Sequence, residues 1–436
     1  MRSHNAKVNK VKRKCSSLAL QSGHRFSWMS AVMSSTANDK AVLVDGPGQI
    51  LALIRSGRAT TRAQIMETTG LSRSTVAQRI DGLIGTGYIA AAANENSTGG
   101  RPTGSFQLNR DGGVMLLAAI GAGAMQVAVT DMQRGILARR QLGITIADGP
   151  DAVLSEASRQ FKDVLKESGH RADEVKGIGI GVPGPVEFAQ GRVVRPPIMT
   201  GWDGYRVPDF FAPHYACPVI VDKDVNVMAL GEHREVSAAT GHLLFIKVST
   251  GIGAGIIMDG MLQRGAQGAA GDLGHFYIGN LVEGDLPLCR CGNRGCLEAY
   301  AAGWAISREL NEAGQSVAGV RDVARLANDG VPQAVALLQN SGRLIGETIA
   351  MAVSLLNPQL VVLGGELAQR QGYLLAAVRE TVYRRSLPLA TRNLQIVNST
   401  LGADAGLSGA AHLVSDAIFA PAVVDLAVEK YLAAKV

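Results

Sequence analysis

Residues 243–266 read LLFIKVSTGIGAGIIMDGMLQRGA, and residues 116–138 read LLAAIGAGAMQVAVTDMQRGILA. Each is an apolar run, a turn of glycine and small residues, a second apolar run and a third, edge-like segment. Apolar runs joined by glycine turns predict β-hairpins, and the third segment predicts a three-stranded meander. Similarity between two distant stretches predicts a body of two like halves. Around the first copy, strands are expected at 116–120, 127–130 and 136–144, a helix at 151–167 and a strand at 175–181. A further strand at 218–222 runs into a helix starting near Asp224. Strands alternating with helices make this an α/β body.

The chain has 436 residues, too many for one small domain, and 47% of them are hydrophobic. It contains no uncharged apolar run of about 18 residues, so no membrane span is expected and a cytoplasmic location is. Charge is uneven. Residues 1–40 carry eight Lys or Arg against Asp39 alone, and residues 41–110 carry seven basic against four acidic side chains. With a net charge of +6 overall, the remainder is mildly acidic. A basic front on an acidic body points to nucleic acid at the N-terminal end. Residues 1–45 are expected to be a basic, disordered extension, with Met29 and Met33 as alternative starts.

Residues 46–110 carry three helical patterns. GQILALIRSG is apolar at Ile50, Leu51, Leu53 and Ile54. In TRAQIMETTG, Thr61 and Gln64 fit a reciprocal capping box, and Gly70 permits a sharp turn. In SRSTVAQRIDGLIGTG, Ser72 caps, and Val76, Ile80, Leu83 and Ile84 are expected to be buried. The exposed face then holds Ser72, Arg73, Ser74, Thr75, Gln78 and Arg79, polar donors suited to base edges and phosphates. A short strand at Tyr88 and Ile89, a polar tip at 94–100 and a return strand at 105–108 complete a β-wing, with Arg101 beside a minor groove. The expectation is a winged helix-turn-helix, mostly α with a β-wing, that binds operator DNA.

Of five cysteines, Cys289, Cys291 and Cys296 lie within eight residues. In a cytoplasmic chain this spacing favours a metal over a disulfide.

The body, 111–436, resembles the actin-like ATPase fold, in which two α/β lobes (here roughly 111–235 and 236–436) close on a nucleotide and a substrate. More specifically it resembles the ROK family (repressors, open reading frames, sugar kinases). The whole chain is similar to a ROK transcriptional regulator with a winged helix in front. The resemblance covers roughly 47–415 and is carried most specifically by GAAGDLGHF, ending at Phe276, and by LCRCGNRGCLEAY at 288–300. It implies a structural zinc ion held by His275, Cys289, Cys291 and Cys296, one imidazole and three thiolates suited to tetrahedral zinc. Gly292 and Gly295 let the backbone curl back to close that site, and Arg290 and Arg294 are placed to screen thiolate charge.

The resemblance also implies a sugar site at Trp202, Lys223, Asp224, Asp272, His275 and Glu298. Asp224, in VDKDVN, occupies the position of the kinases' catalytic base. Lys223 stands where the family more often has Asn, Asp272 where it has Glu, and Ile198 where kinases often have Asn. Ser249, Thr250, Gly251, Gly253 and Gly255 keep the form of a phosphate loop. LNPQLVVLGGE at 356–366 resembles the segment near the adenosine. In the first hairpin, the kinases' Asp, Thr and Lys are replaced by Ala119, Gly123 and Ala124. Losing a metal-associated carboxylate and a phosphate cation should cost about three decades of rate or more.

The sequence therefore reads as a sugar-responsive transcriptional regulator, a repressor of carbohydrate genes, that is not an enzyme. Its expected partners are operator DNA and a sugar effector, its cofactor zinc without ATP or Mg²⁺, and its assembly a homodimer or homotetramer away from membranes. The alternative is an active ROK sugar kinase carrying a DNA-binding module.

Overall fold

The computed structural model describes residues 46–92 and 104–435. The basic extension at 1–45, the wing tip and Arg101 lie outside the described residues. The chain forms two compact units, Met1–Gly112 together with Asp416–Val436, and Gly113–Ser415. The body was expected to run to 436; instead its unit closes at Ser415, and the C-terminal segment belongs with the front module.

In the first unit, helices α1 (Pro47–Arg55), α2 (Arg62–Thr69) and α3 (Arg73–Gly85) precede a hairpin of β1 (Ile89–Ala91) and β2 (Phe106–Leu108). The capping box forms: Gln64 N donates to Thr61 Oγ1 at 3.3 Å, and Thr61 N donates to Gln64 Oε1 at 3.1 Å. Gly70 takes the left-handed conformation (φ 70°) that turns α2 into α3. Val76, Ile80 and Leu83 are buried, whereas Ile84 is 43% exposed. The buried stripe passes through Gly82 instead, because the C-terminal helix Pro421–Ala433 lays Val428 against it. The same helix caps α1: Gly48 N donates to Asp425 Oδ1 at 2.7 Å.

The second unit contains two five-stranded sheets of one topology. The first has β3 (Val114–Ile120), β4 (Ala124–Asp131), β5 (Ile136–Gly143), β6 (Val175–Val182) and β7 (Val219–Lys223), in the order β5-β4-β3-β6-β7. The second has β8 (Leu243–Val248), β9 (Ile252–Met258), β10 (Met261–Gln263), β11 (Leu360–Gly364) and β12 (Gln395–Asn398), in the order β10-β9-β8-β11-β12. In both, the first three strands are antiparallel and the last two add in parallel. The repeat read from the two quoted stretches is thus a repeat of whole lobes.

Between the lobes runs the helix Asp224–Glu235, packed on β9. It carries the buried Glu232, which accepts from Ser399 Oγ at 2.7 Å and Thr400 N at 2.8 Å. A carboxylate withdrawn from water needs such donors, and here they come from the opposite lobe. Each lobe has its own apolar core, one around Phe161 and Trp202, the other around Ile246, Ile306 and Leu344.

Candidate functional site

A cavity of about 1180 Å³ opens between the lobes. Its walls come from both glycine hairpins, from the ends of β6, β7 and β8, and from the loops that carry Asp272, His275 and Glu298. This is where parallel α/β strands end, and it is where such folds place ligands.

The polar residues of the cleft are bonded to one another. Lys223, at the end of β7 and 6% exposed, donates to Asp272 Oδ1 at 2.6 Å and to Ala270 O at 3.1 Å. Asp224, the next residue, is ion-paired with Lys247 of β8. Its other oxygen accepts from Val225 N at 2.7 Å. Asp222, the preceding residue, is buried and accepts from Arg264 Nε at 2.7 Å. Three consecutive residues, Asp222, Lys223 and Asp224, thus each meet an opposite charge from the second lobe. Side chains of alternating sign on one strand end, matched by alternating sign on the facing lobe, hold the lobes in register.

The sequence missed Lys247, Asp222 and Arg264. Lys247 had a signal: it interrupts an otherwise apolar strand, LLFIKV. The Arg264 guanidinium also stacks 3.7 Å from the Phe188 ring, a contact without a local signal in the sequence.

Glu298 lines the cavity but is spent on the second hairpin. It accepts from Ile252 N at 3.0 Å and from Trp304 Nε1 at 3.4 Å. Ser249, Thr250, Gly251 and Gly253 also line the cavity. Gly255 does not: it is buried where a Cβ would lie 2.6 Å from Ala229 Cβ, so its role is close packing on the interlobe helix. Trp202 is a second correction. It is fully buried, donates to Ile146 O at 3.2 Å and belongs to the first lobe's core, so it cannot touch a ligand in the cleft. Ile198, four residues earlier, does line the cavity. At the far end, Arg321 donates to Glu366 Oε1 at 2.6 Å and Arg370 lies 3.7 Å from the same oxygen.

His275, Cys289, Cys291 and Cys296 converge, with their ligand atoms all within 4.8 Å of one another. His275 Nδ1 is 3.7 Å from Cys289 Sγ, and Cys291 Sγ is 3.8 Å from Cys296 Sγ. A disulfide would bring the sulfurs to about 2 Å. Tetrahedral ligands about 2.3 Å from one ion stand about 3.8 Å apart, so this set fits a metal ion. Gly292 (φ 93°) and Gly295 (φ 78°) make the two left-handed bends that return the chain to it. Burial raises the Cys289 and Cys296 thiols above their ordinary value, so thiolates there need a cation beside them. Arg290 stacks 4.6 Å from the Trp304 ring, and Arg294 donates to Leu286 O at 2.9 Å. Neither is paired with a cysteine among the described residues.

On α3, Ser72 caps the helix by accepting from Thr75 N at 3.2 Å, and its hydroxyl also bonds Ser74 and Thr75. Ser72, Arg73, Ser74 and Gln78 are exposed. Thr75 and Arg79 are half-buried, and Arg79 Nη1 has no partner among the described residues. The face is polar and cationic, without a carboxylate in the first two turns.

Comparison with known proteins agrees with this architecture. A xylose repressor of Bacillus spizizenii is 28% identical over 377 residues, covering 84% of this chain and 93% of the relative. The crystal structure of a ROK family transcriptional regulator, described as a homolog of the E. coli MLC protein, superimposes with a TM-score of 0.73 at 26% identity. It covers 88% of this chain and 98% of the other. A ROK family glucokinase from Streptomyces griseus, in complex with glucose and AMPPNP, matches with a TM-score of 0.61 at 26% identity, over 69% of this chain and 99% of its own. The ROK family model matches residues 117–417, and with that span the chain belongs to the ROK family.

Proposed function

We propose that this protein is a sugar-responsive transcriptional repressor whose kinase-like body binds a sugar without phosphorylating it. The observation that carries this reading is the state of the cleft. In the first hairpin, Ala119, Gly123 and Ala124 offer a phosphate or metal ion no carboxylate, hydroxyl or ammonium. Asp224, the residue in the base position, is held in an ion pair by Lys247. A general base must have an oxygen free to take a proton from the attacking hydroxyl, and here one oxygen faces the Lys247 ammonium while the other accepts from Val225 N. Both losses fall on the groups that phosphoryl transfer needs, positioning and charge neutralisation.

The front module supports the other half of the reading. The polar face of α3, with Arg73, Ser74, Gln78 and Arg79, is suited to the major groove. Two such modules in a symmetric dimer would read two half-sites. Sugar binding that changes lobe closure would change their spacing, and so operator affinity.

Zinc fits the His275, Cys289, Cys291 and Cys296 cluster, where it would tie the loop between β10 and the short helix Glu298–Ala301. Its contribution is to fold rather than to chemistry, because four protein ligands leave it no open position.

The alternative, an active sugar kinase, draws on the Ser249–Thr250 turn and on Asp224. The test is direct. The full chain is bound to its operator fragment and titrated with a panel of sugars and sugar derivatives, and in parallel assayed for ATP-dependent phosphorylation. Release of DNA by one ligand with no phosphorylated product supports repression. Turnover at ordinary kinase rates would establish the alternative, and operator affinity unmoved by every ligand would end the sensing reading.

A further inference from the structure

The second lobe reaches the first through one closed loop. After β10 the chain turns back on itself, and Ala270 N donates to Arg264 O at 3.1 Å. The tip of the loop lies on the first lobe: a Cβ on Gly268 (φ 87°) would collide with Val186 O. The end of the loop is tied to its own lobe, where Ala254 N of β9 donates to Gly271 O at 2.8 Å. Asp272 follows at once and lines the cavity.

Both ends of this loop are held by the end of β7. Arg264, at its start, donates from Nε to Asp222 Oδ2 at 2.7 Å and lies 3.7 Å from the centroid of the Phe188 ring. Ala270 O and Asp272 Oδ1, at its end, accept from Lys223 Nζ. Asp222 is buried, and its other oxygen accepts from Lys223 N at 2.7 Å and from Asn226 Nδ2 at 2.9 Å. A carboxylate so enclosed holds its guanidinium in one place, because withdrawing the partner would leave a buried charge unpaired. The stack on Phe188 fixes the same planar group from a second direction. Arg264, Asp222 and Phe188 do not line the cavity, whereas Lys223 and Asp272 do.

Asp272 gives one oxygen to Lys223 and keeps the other for a ligand hydroxyl. Where that oxygen stands depends on the loop, and Arg264 sets where the loop begins. A binding group held in place before the ligand arrives loses less freedom on binding, and so binds more tightly. We propose that Arg264 is a positioning residue of the cleft: without touching the ligand, it holds the loop 264–272 on the first lobe and so presents Asp272. This rests on the sugar-binding reading of the cleft and adds what keeps that site formed.

The test is calorimetric titration of the full chain, loaded with zinc, with xylose, glucose and N-acetylmannosamine. For a sugar that binds, Arg264→Ala should weaken binding about tenfold, the scale of one well-placed hydrogen bond. Arg264→Lys keeps the charge but loses the planar stack, and should bring the loss back to about threefold. The deciding measurement is a double-mutant cycle with Asp272→Asn, which keeps an acceptor for Lys223 and turns the free oxygen into a donor. If Arg264 acts through Asp272, Arg264→Ala should cost less than about twofold in affinity once Asp272→Asn is in place. A role in stability alone would lower the melting temperature and leave the two affinity losses additive. Zinc content and melting temperature check folding. Where Arg264→Ala does not fold, Phe188→Leu, which removes the stack alone, takes its place in the cycle, with an expected loss of about threefold.

Unchanged affinity in Arg264→Ala, or losses that add in the cycle, overturns the proposal and leaves the sugar cleft standing. If none of the three sugars binds the unaltered chain, the sugar reading fails for them, and hydrogen exchange decides the positioning role. Arg264→Ala should then speed exchange at 268–274 by at least about tenfold, and an unchanged rate there overturns it.

Discussion

The two glycine hairpins have the same place in the same topology, yet they differ in what surrounds them. The turn between β3 and β4 is open. Gly121 N closes it by donating to Ala124 O at 2.8 Å, and a Cβ on Gly123 would meet nothing within 4 Å. The turn between β8 and β9 is braced. Glu298 reaches in to accept from Ile252 N, and a Cβ on Gly251 would lie 2.7 Å from Glu298 Oε2. Glu298 in turn follows Cys296 by two residues, so the Cys–His cluster, the carboxylate and the hairpin form one chain of support. The first lobe has no counterpart to that support among the described residues. A backbone plan can therefore persist twice while side chains that tune it are kept in one copy only.

The largest expected effect comes from cutting that chain at its root. Cys296→Ser should abolish stoichiometric zinc binding, measured by metal analysis of the purified protein. It should destabilise the second unit by about 3 kcal/mol or more, since metal binding and local folding are linked. Hydrogen exchange would locate the damage at 273–300 and at the β8–β9 turn, with the β3–β4 turn unchanged. Equal loss of protection in both hairpins would break the comparison. A smaller effect is expected of Gly251→Ala. The added methyl must displace Glu298, so a cost of about 1–3 kcal/mol is expected in denaturant unfolding. Ligand affinity in the cleft should fall with it, because the displaced carboxylate also sets the Trp304 indole.

Much of this was legible in the sequence, and the failures have physical reasons. Capping at Thr61 and Ser72, the turn at Gly70 and the cysteine trio were readable because each depends on residues close in the chain, whereas His275 was named only through the family resemblance. The lobe repeat was readable because apolar periodicity and glycine turns recur. Trp202 was misplaced because an aromatic in a cleft-lining segment points either way, and the turns at 199–205 send it to Ile146 rather than to the ligand. Ile84 was misplaced because its face depends on a helix more than 300 residues away in the sequence. The ion pairs Lys223–Asp272 and Lys247–Asp224 join residues from different lobes, and no local pattern announces them. Individual residues of the cleft could be named from sequence; that they neutralise one another could not.

The smallest effect is expected where the first hairpin is most open. Gly123 does not adopt a positive φ, so an L side chain there carries no backbone strain. Space is also available, since no heavy atom would lie within 4 Å of the new methyl. Its carbonyl accepts from Ile144 N at 3.2 Å, a bond that alanine preserves. Replacing glycine by alanine under these conditions lowers the entropy of the unfolded chain without cost to the folded one. Gly123→Ala should therefore change stability by no more than about 1 kcal/mol, and in the stabilising direction. Unchanged ligand affinity in the same variant is expected, because the hairpin supplies the cleft with shape rather than bonding groups. A loss of affinity comparable to that of Gly251→Ala would mean that the first turn closes on the ligand through its backbone. The two hairpins would then be alike in function after all, and the first would have kept a role that does not depend on side chains.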